Sequence, residues 1–229
     1  MTQRPARQRV VLSGASGLIG SALAASLRAD GVEVSQLVRR APASAGEIEW
    51  NPEERLNPDV LTGANAVVSL NGASIGRFPW TRHYREVLTS SRLTATRTIA
   101  TAVRQLGSDA PAFVSASAVG WYGSAHGVRF TEASPAGAGF LAELTTRWEG
   151  EALGAGEHAP VALLRTAPVV HPKGVLKPLI LLTQLGASGP IGRGTQVWPW
   201  ISLVDEVAAI KHIIVNRMSG PVNLTGPTR

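Results

Sequence analysis

The sequence predicts an α/β fold, a doubly wound parallel sheet with a small substrate-side part toward the C-terminal end. Two observations carry this. Short β-branched apolar runs alternate with helical patterns along the chain, and each helical stretch is long enough to cross over between parallel strands. The last third breaks that rhythm and is rich in Gly and Pro.

The opening MTQRPARQR carries arginines but no apolar targeting segment, and residues 1–8 read as a disordered tail. RVVLSG (9–14) is a continuous apolar strand, and SALAASLRAD (21–30) is a helix closed by Gly31. VEVSQLVRR (32–40) makes a second strand. A Pro-rich stretch from 41 to 60 reads as loop, and AVVSLNGA (66–73) follows as the third clear strand. A long helix is predicted over 82–106, where Val87, Leu88, Leu93, Ile99, Val103 and Leu106 recur at near-helical spacing and Gly107 ends it. APAFVSAS (110–117) is a strand, GFLAELTTRWEGEAL (139–153) a helix and APVALLRTAPVV (159–170) a strand. Residues 9–170 thus make up a dinucleotide-binding domain and 171–229 a substrate-side segment. That segment holds a short helix candidate at 175–185, a lid-like stretch ending in Trp198 and Trp200, and a helix at 202–216 capped by Ser202 or Asp205. A short strand at 220–227 returns to the main domain.

Composition excludes several classes. With 44% hydrophobic and 17% charged residues the chain reads as soluble and globular, and no apolar run reaches the roughly 18 residues of a membrane span. Without cysteines there is no disulfide framework or thiolate metal site, and a cytoplasmic location is expected. The histidines are scattered, so no metal site is expected. The net charge of +6 is spread over the chain without aromatic interleaving, which reads as a basic surface rather than a nucleic-acid site.

After the first strand, GASGLIG sets Gly14, Gly17 and Gly20 at the opening of a helix. Such glycines let the backbone turn tightly and approach a pyrophosphate, whose charge the helix N-terminal amides stabilise. About twenty residues on, where an NAD site places an acid to hold the ribose hydroxyls, the chain reads LVRR. Arg39 and Arg40 are cations where a 2′-phosphate would sit, which favours NADP(H); the alternative is a solvated pair beginning a loop. LNGASIG puts Asn71, Gly72, Ala73 and Ser74 at the end of the third clear strand, either a turn passing under the cofactor or an ordinary turn. Ser115 and Ala116, in the next strand, complete the candidate cofactor-binding set.

These motifs resemble the extended short-chain dehydrogenase/reductase superfamily. More narrowly, the chain is similar to its atypical "epimerase family" branch, related to NAD-dependent epimerase/dehydratases. The likeness runs from VVLSGASGLIGSAL through residues 80–92 and FVSASAVGWYG to GPVNLTGP. It implies a Rossmann-like NADP(H) domain with a smaller substrate-side part. Residue by residue, it implies cofactor contact at Gly14, Ser16, Gly17, Leu18, Ile19, Arg39, Gly72 and Ala73. It also implies Ser117 beside the nicotinamide, Tyr122 in the substrate pocket and Pro168 where backbone lies near the nicotinamide. Two features depart from the pattern. WISLVDEV keeps Asp205 but has Ser202 in place of the usual histidine, and relatives usually continue for a further helical segment beyond NLT, so part of the substrate side is expected to be missing.

In that superfamily a tyrosine is the general acid/base, its pKa lowered by a lysine four residues on, while a serine hydrogen-bonds the substrate oxygen. Here the tyrosines are Tyr84 and Tyr122, the lysines Lys173, Lys177 and Lys211, and no Tyr-x-x-x-Lys pair exists. Leu141 and Thr145 stand at about the expected places. His126, four residues after Tyr122, reads as a surface-loop histidine and Glu143 as an exposed helical glutamate. Two functions follow. One is an NADP(H)-dependent oxidoreductase or epimerase-like enzyme of a small carbonyl or hydroxyl substrate, working through Ser117 and Tyr122. The other is a non-catalytic NADP(H)-binding sensor or scaffold. The helices at 82–106 and 137–153 are candidates to pair across a homodimer.

Overall fold

The apolar run after the amino terminus forms β1 (Arg9–Ser13), whose residues after Arg9 are all buried, as a strand covered on both faces requires. In this computed structural model, which describes residues 8–125, 127–187, 189 and 197–226, it is followed by α1 (Leu18–Ala29) and β2 (Glu33–Val38). Then come β3 (Glu47–Glu49), β4 (Ala66–Ser69), α2 (Arg82–Gln105), β5 (Ala112–Ala118) and α3 (Phe140–Leu153). The chain continues through β6 (Val161–Thr166), β7 (Val169–Val170), α4 (Leu176–Gln184), β8 (Ile201–Ser202), α5 (Leu203–Val215) and β9 (Gly220–Leu224). Seven strands form one sheet in the order β3-β2-β1-β4-β5-β6-β9, every pair parallel. The chain winds outward from β1 to β3 and returns to β4 on the other side of β1, so the reversal falls between β1 and β4.

Strand residues alternate between two cores. Val10, Leu12, Val68, Val114 and Leu164 pack with α1 and α5, while Val11, Val67, Phe113 and Leu163 pack with α2 and α3. Lys211 ties α5 to α1 by donating to Ser26 Oγ at 2.9 Å and pairing with Asp30. Thr81 Oγ1 accepts from Tyr84 N at 3.1 Å and caps α2. The lid-like stretch of the sequence lies in large part outside the described residues, as do His126 and most of the predicted amino-terminal tail.

The elements differ from the sequence expectations most in three places, and β4 and β9 end short of the predicted 66–73 and 220–227. The helix predicted from residue 21 begins at Leu18, so Gly20 lies inside it; there a Cβ would stand 2.3 Å from Gly14 O, and glycine is what lets the helix close on the turn. The stretch from 41 to 60 contains β3, held by Gln36 N donating to Gly46 O at 2.7 Å. The predicted strand over 159–170 divides at Ala167 and Pro168. Pro168 has no N–H to continue the ladder, and its carbonyl instead accepts from Ile201 N at 3.2 Å beside the β7–β8 pair. Ser202 is the cap of α5, its Oγ accepting from Asp205 N and donating to Asp205 Oδ2.

Candidate functional site

The turn between β1 and α1 is shaped by close approach. Gly14 has φ of 82°, and a Cβ there would stand 2.6 Å from Leu70 O, so only glycine fits between the ends of β1 and β4. Gly17 N donates to Gly14 O at 3.1 Å, and Gly17 caps α1 with no side-chain acceptor. The first amides of α1 therefore have no side-chain partner and open outside the strand ends, with exposed Ser16 beside them and half-buried Leu18 and Ile19 following. This cradle, which a Cβ would fill, fits a dinucleotide pyrophosphate.

Asn71 turns inward: its Nδ2 donates to Ser13 Oγ at 2.8 Å and Ser69 Oγ at 3.2 Å. It locks the ends of β1 and β4 together, leaving Gly72 and Ala73 as the backbone that follows. Ala73 N donates to Ser91 Oγ at 3.0 Å.

The two arginines after β2 have different surroundings. Arg40 grips Glu47 with Nη1 and Nη2, at 2.9 and 2.6 Å, and the carboxylate also accepts from Ala43 N. The Arg40 hydrogen bond holds the Glu47 carboxyl down at about 2, helped by the Ala43 amide. Arg39 is exposed and has no hydrogen-bond or ion-pair partner among the described residues.

Ser117 and Tyr122 belong to one buried network at the ends of β5, β6 and β9. Ser117 Oγ donates to Glu149 Oε1 at 2.6 Å, and Arg165 clasps the same carboxylate through Nε and Nη2, each at 2.9 Å. Arg165 Nη1 donates to Tyr122 OH at 3.0 Å and to Glu132 O, and Tyr122 OH donates to Asn223 Oδ1 at 2.6 Å. Phe130 stacks on Tyr122, and the Trp121 ring lies 4.0 Å from the Arg165 guanidinium. Ser117, Glu149 and Arg165 are all about 5% exposed or less. Burial opposes the Arg165 charge, but its bonds to Glu149 and Tyr122 outweigh that and raise its pKa. From the sequence, both hydroxyls were expected to face the ligand; in the structure each O–H is already donated to a neighbour in the chain. Ser115 is likewise enclosed within β5, its Oγ 3.2 Å from Ala116 O, and Ala116 packs against the Leu88, Leu144 and Trp148 cluster.

On α3, Leu141 faces the turn at Gly120, where an added Cβ would stand 3.3 Å from Leu141 Cβ, Thr145 Oγ1 bonds back to Leu141 O at 2.6 Å, and Glu143 is exposed. One further acid is buried: Glu206, in the first turn of α5, accepts from Thr166 Oγ1 at 2.8 Å through Oε1, while Oε2 has no partner among the described residues. Burial raises its pKa from 4.5 to about 7, against the lowering effect of Thr166. Sequence reasoning missed Glu149, Arg165, Asn223 and Glu206. Arg165 could have been found, since a charge inside VALLRT, an otherwise apolar buried strand, requires a partner.

No helix among the described residues is long and apolar enough to cross a membrane, and no group of metal-ligating side chains occurs among them.

Comparison with known proteins agrees with this architecture. Residues 10–224 match the family described as NAD dependent epimerase/dehydratase. An epimerase family protein of Mycobacterium leprae is 42% identical over 232 residues, which cover 99% of this chain and 75% of the relative. The human epimerase family protein SDR39U1 is 31% identical over 225 residues, covering 96% of this chain and 75% of the human one. Its crystal structure with NADPH superposes with a TM-score of 0.83 at 28% identity, covering 96% of this chain and 75% of that one. A nucleoside-diphosphate sugar epimerase from Corynebacterium glutamicum superposes with a TM-score of 0.82 at 33% identity, over 97% of this chain and 47% of that one.

Proposed function

Because this chain belongs to the NAD dependent epimerase/dehydratase family, we propose that it is an NADP(H)-dependent, epimerase-like oxidoreductase of a small carbonyl or hydroxyl substrate. The observation that carries this reading is the glycine cradle at the β1–β4 reversal, with Arg39, unpaired among the described residues, at the end of the neighbouring β2. A nicotinamide bound there would supply a hydride to a substrate carbonyl carbon, or take one up from the corresponding hydroxyl-bearing carbon. The chain's own residues do the rest. The α1 amides hold the pyrophosphate, Arg39 takes the 2′-phosphate, and Asn71 keeps the Gly72–Ala73 backbone against the cofactor. The solved human relative with NADPH supports the choice of the phosphorylated dinucleotide.

Ser117 and Tyr122 enter this reading as the wall of the substrate side. The Glu149–Arg165 pair fixes both, Ser117 Oγ donating to Glu149 and Tyr122 OH accepting from Arg165. The second reading, NADP(H) binding without turnover, is favoured by that same commitment of both O–H groups and by the absence of a Tyr-x-x-x-Lys pair. Single-turnover mixing of the NADPH complex with a panel of aldehydes, ketones and keto sugars separates the two. Loss of the reduced-nicotinamide absorbance with at least one member is expected, and binding with no oxidation across the panel would leave the sensor reading in its place.

A further inference from the structure

Arg92 lies on the inward face of α2, one turn after Leu88, with its guanidinium between two walls. On one side is the turn after β4: Nη2 donates to Ala73 O at 3.1 Å, and a Cβ on Gly72 would stand 3.0 Å from Arg92 Cζ. Gly72 does not have a left-handed φ, and a Cβ there would press on the end of this side chain. On the other side is the Trp148 ring of α3, 5.2 Å from Cζ. Nη1 donates to Leu88 O at 3.0 Å. Two of the five guanidinium N–H groups are thereby used, both on backbone carbonyls, and no carboxylate among the described residues pairs with the charge. Desolvation lowers its pKa, the direction expected of a cation lacking an anionic partner.

Its location gives that missing anion a source. Gly72 follows Asn71, which is bonded to Ser13 at the end of β1, so Arg92 borders the crevice that begins at the glycine cradle. Ligands of doubly wound sheets occupy that crevice. A brace for the turn alone would need only a neutral donor; a half-buried guanidinium with two carbonyls and a ring face but no carboxylate among the described residues leaves N–H groups that an anion would complete.

We propose that Arg92 is an anion-binding group of the ligand site, donating its free N–H groups to phosphate or carboxylate oxygens of the molecule bound beyond the Gly72–Ala73 turn. The proposal rests on the dinucleotide-binding reading above and adds a second cation, distinct from Arg39, on the other side of the cradle.

The test compares the wild-type protein with Arg92→Gln. NADPH is titrated by its fluorescence, and the NADPH-saturated proteins are then heated with a panel of sugar phosphates and 2-oxo acids. If the anion is the cofactor's, NADPH affinity falls about tenfold or more in the variant. If it is the substrate's, NADPH binds equally, but thermal stabilisation by at least one panel member is present in the wild type and absent in the variant. Unchanged NADPH affinity and an unchanged panel response, with or without a lowered melting temperature, would overturn the proposal and leave Arg92 a brace. Should the variant not fold, phenylglyoxal labelling of the wild type read by mass spectrometry decides the matter: ligand must protect Arg92, and equal labelling with and without NADPH and the panel would overturn it. Failure of the wild type to bind NADPH would instead strike the underlying reading.

Discussion

Arg39 and Arg40 are adjacent in sequence, yet the structure gives them separate work, because the Glu47 carboxylate claims only the second. Arg39→Ala is expected to weaken NADPH binding about tenfold or more while leaving NADH nearly unchanged, the loss of one charge-assisted phosphate contact. Arg40→Ala should change the affinities for the two dinucleotides by similar factors. Fluorescence titrations with both reduced cofactors check this, and a selective loss in Arg40→Ala would reverse the assignment. The sequence marked two cations at the end of the second strand but not which was free, because Glu47 lies on a strand hidden within a Pro-rich stretch.

Glu206 offers a second test at this scale. Its pKa rises on folding from 4.5 to about 7, so the folded state binds the proton more tightly than the unfolded chain. The stability this contributes is fully present below pH 4.5 and is lost as pH rises through about 7. At about 1.36 kcal/mol per pH unit, the difference is on the order of 3 kcal/mol. Glu206→Gln, neutral at every pH, should flatten that slope and unfold at higher urea than the wild type at pH 8 while matching it at pH 4.5. Parallel pH profiles for the two proteins would show that the carboxyl does not titrate there.

At the level of elements, close packing of glycines decides where α1 begins. A methyl at Gly20 would enter the space of Gly14 O and Ala15 Cα, forcing the helix away from the turn. Gly20→Ala is therefore expected to cost about 1–3 kcal/mol in urea unfolding, the usual range for overpacking, and to weaken NADPH by displacing the α1 amides. An unaltered urea midpoint would mean that the turn yields without strain. The glycine spacing was legible in the sequence, whereas the first helical residue was not, since Gly20 reads locally as a helix breaker and only the tertiary approach to Gly14 makes it necessary.

The same limit applies to α2, α3 and β6. Their apolar periodicity gave their positions, but the polar residues set into those faces find their partners only across the fold. Arg165 on β6 meets Glu149 on α3, and Arg165→Met should cost about 3–5 kcal/mol by leaving the Glu149 carboxylate buried without its cation. Thermal or urea unfolding checks it, and a loss below about 1 kcal/mol would mean that water reaches the carboxylate. Ser117 and Tyr122 invited a catalytic reading because of their place after an apolar strand. Their partners Glu149 and Asn223 lie 32 and 101 residues away, beyond any local pattern.

Across the whole molecule, winding order and chemistry coincide. The sheet reverses between β1 and β4, and the glycine cradle, the Asn71 lock and the Gly72–Ala73 turn all stand at that reversal, with Arg39 at the end of the neighbouring β2. The alternation of strands and helices made this architecture readable from the sequence, because each crossover is local. The small β7–β8 pair was not, since each strand is two residues long and forms only when Pro168 turns the chain toward Ile201. We propose that this reversal is an NADP(H) site in which Arg39 reads the 2′-phosphate. Titration of the wild-type protein with NADPH and with NADH tests it most directly. NADPH is expected to bind about tenfold or more tightly than NADH; equal affinity for the two would mean that Arg39 does not read a 2′-phosphate, and binding of neither that the reversal is not a dinucleotide site.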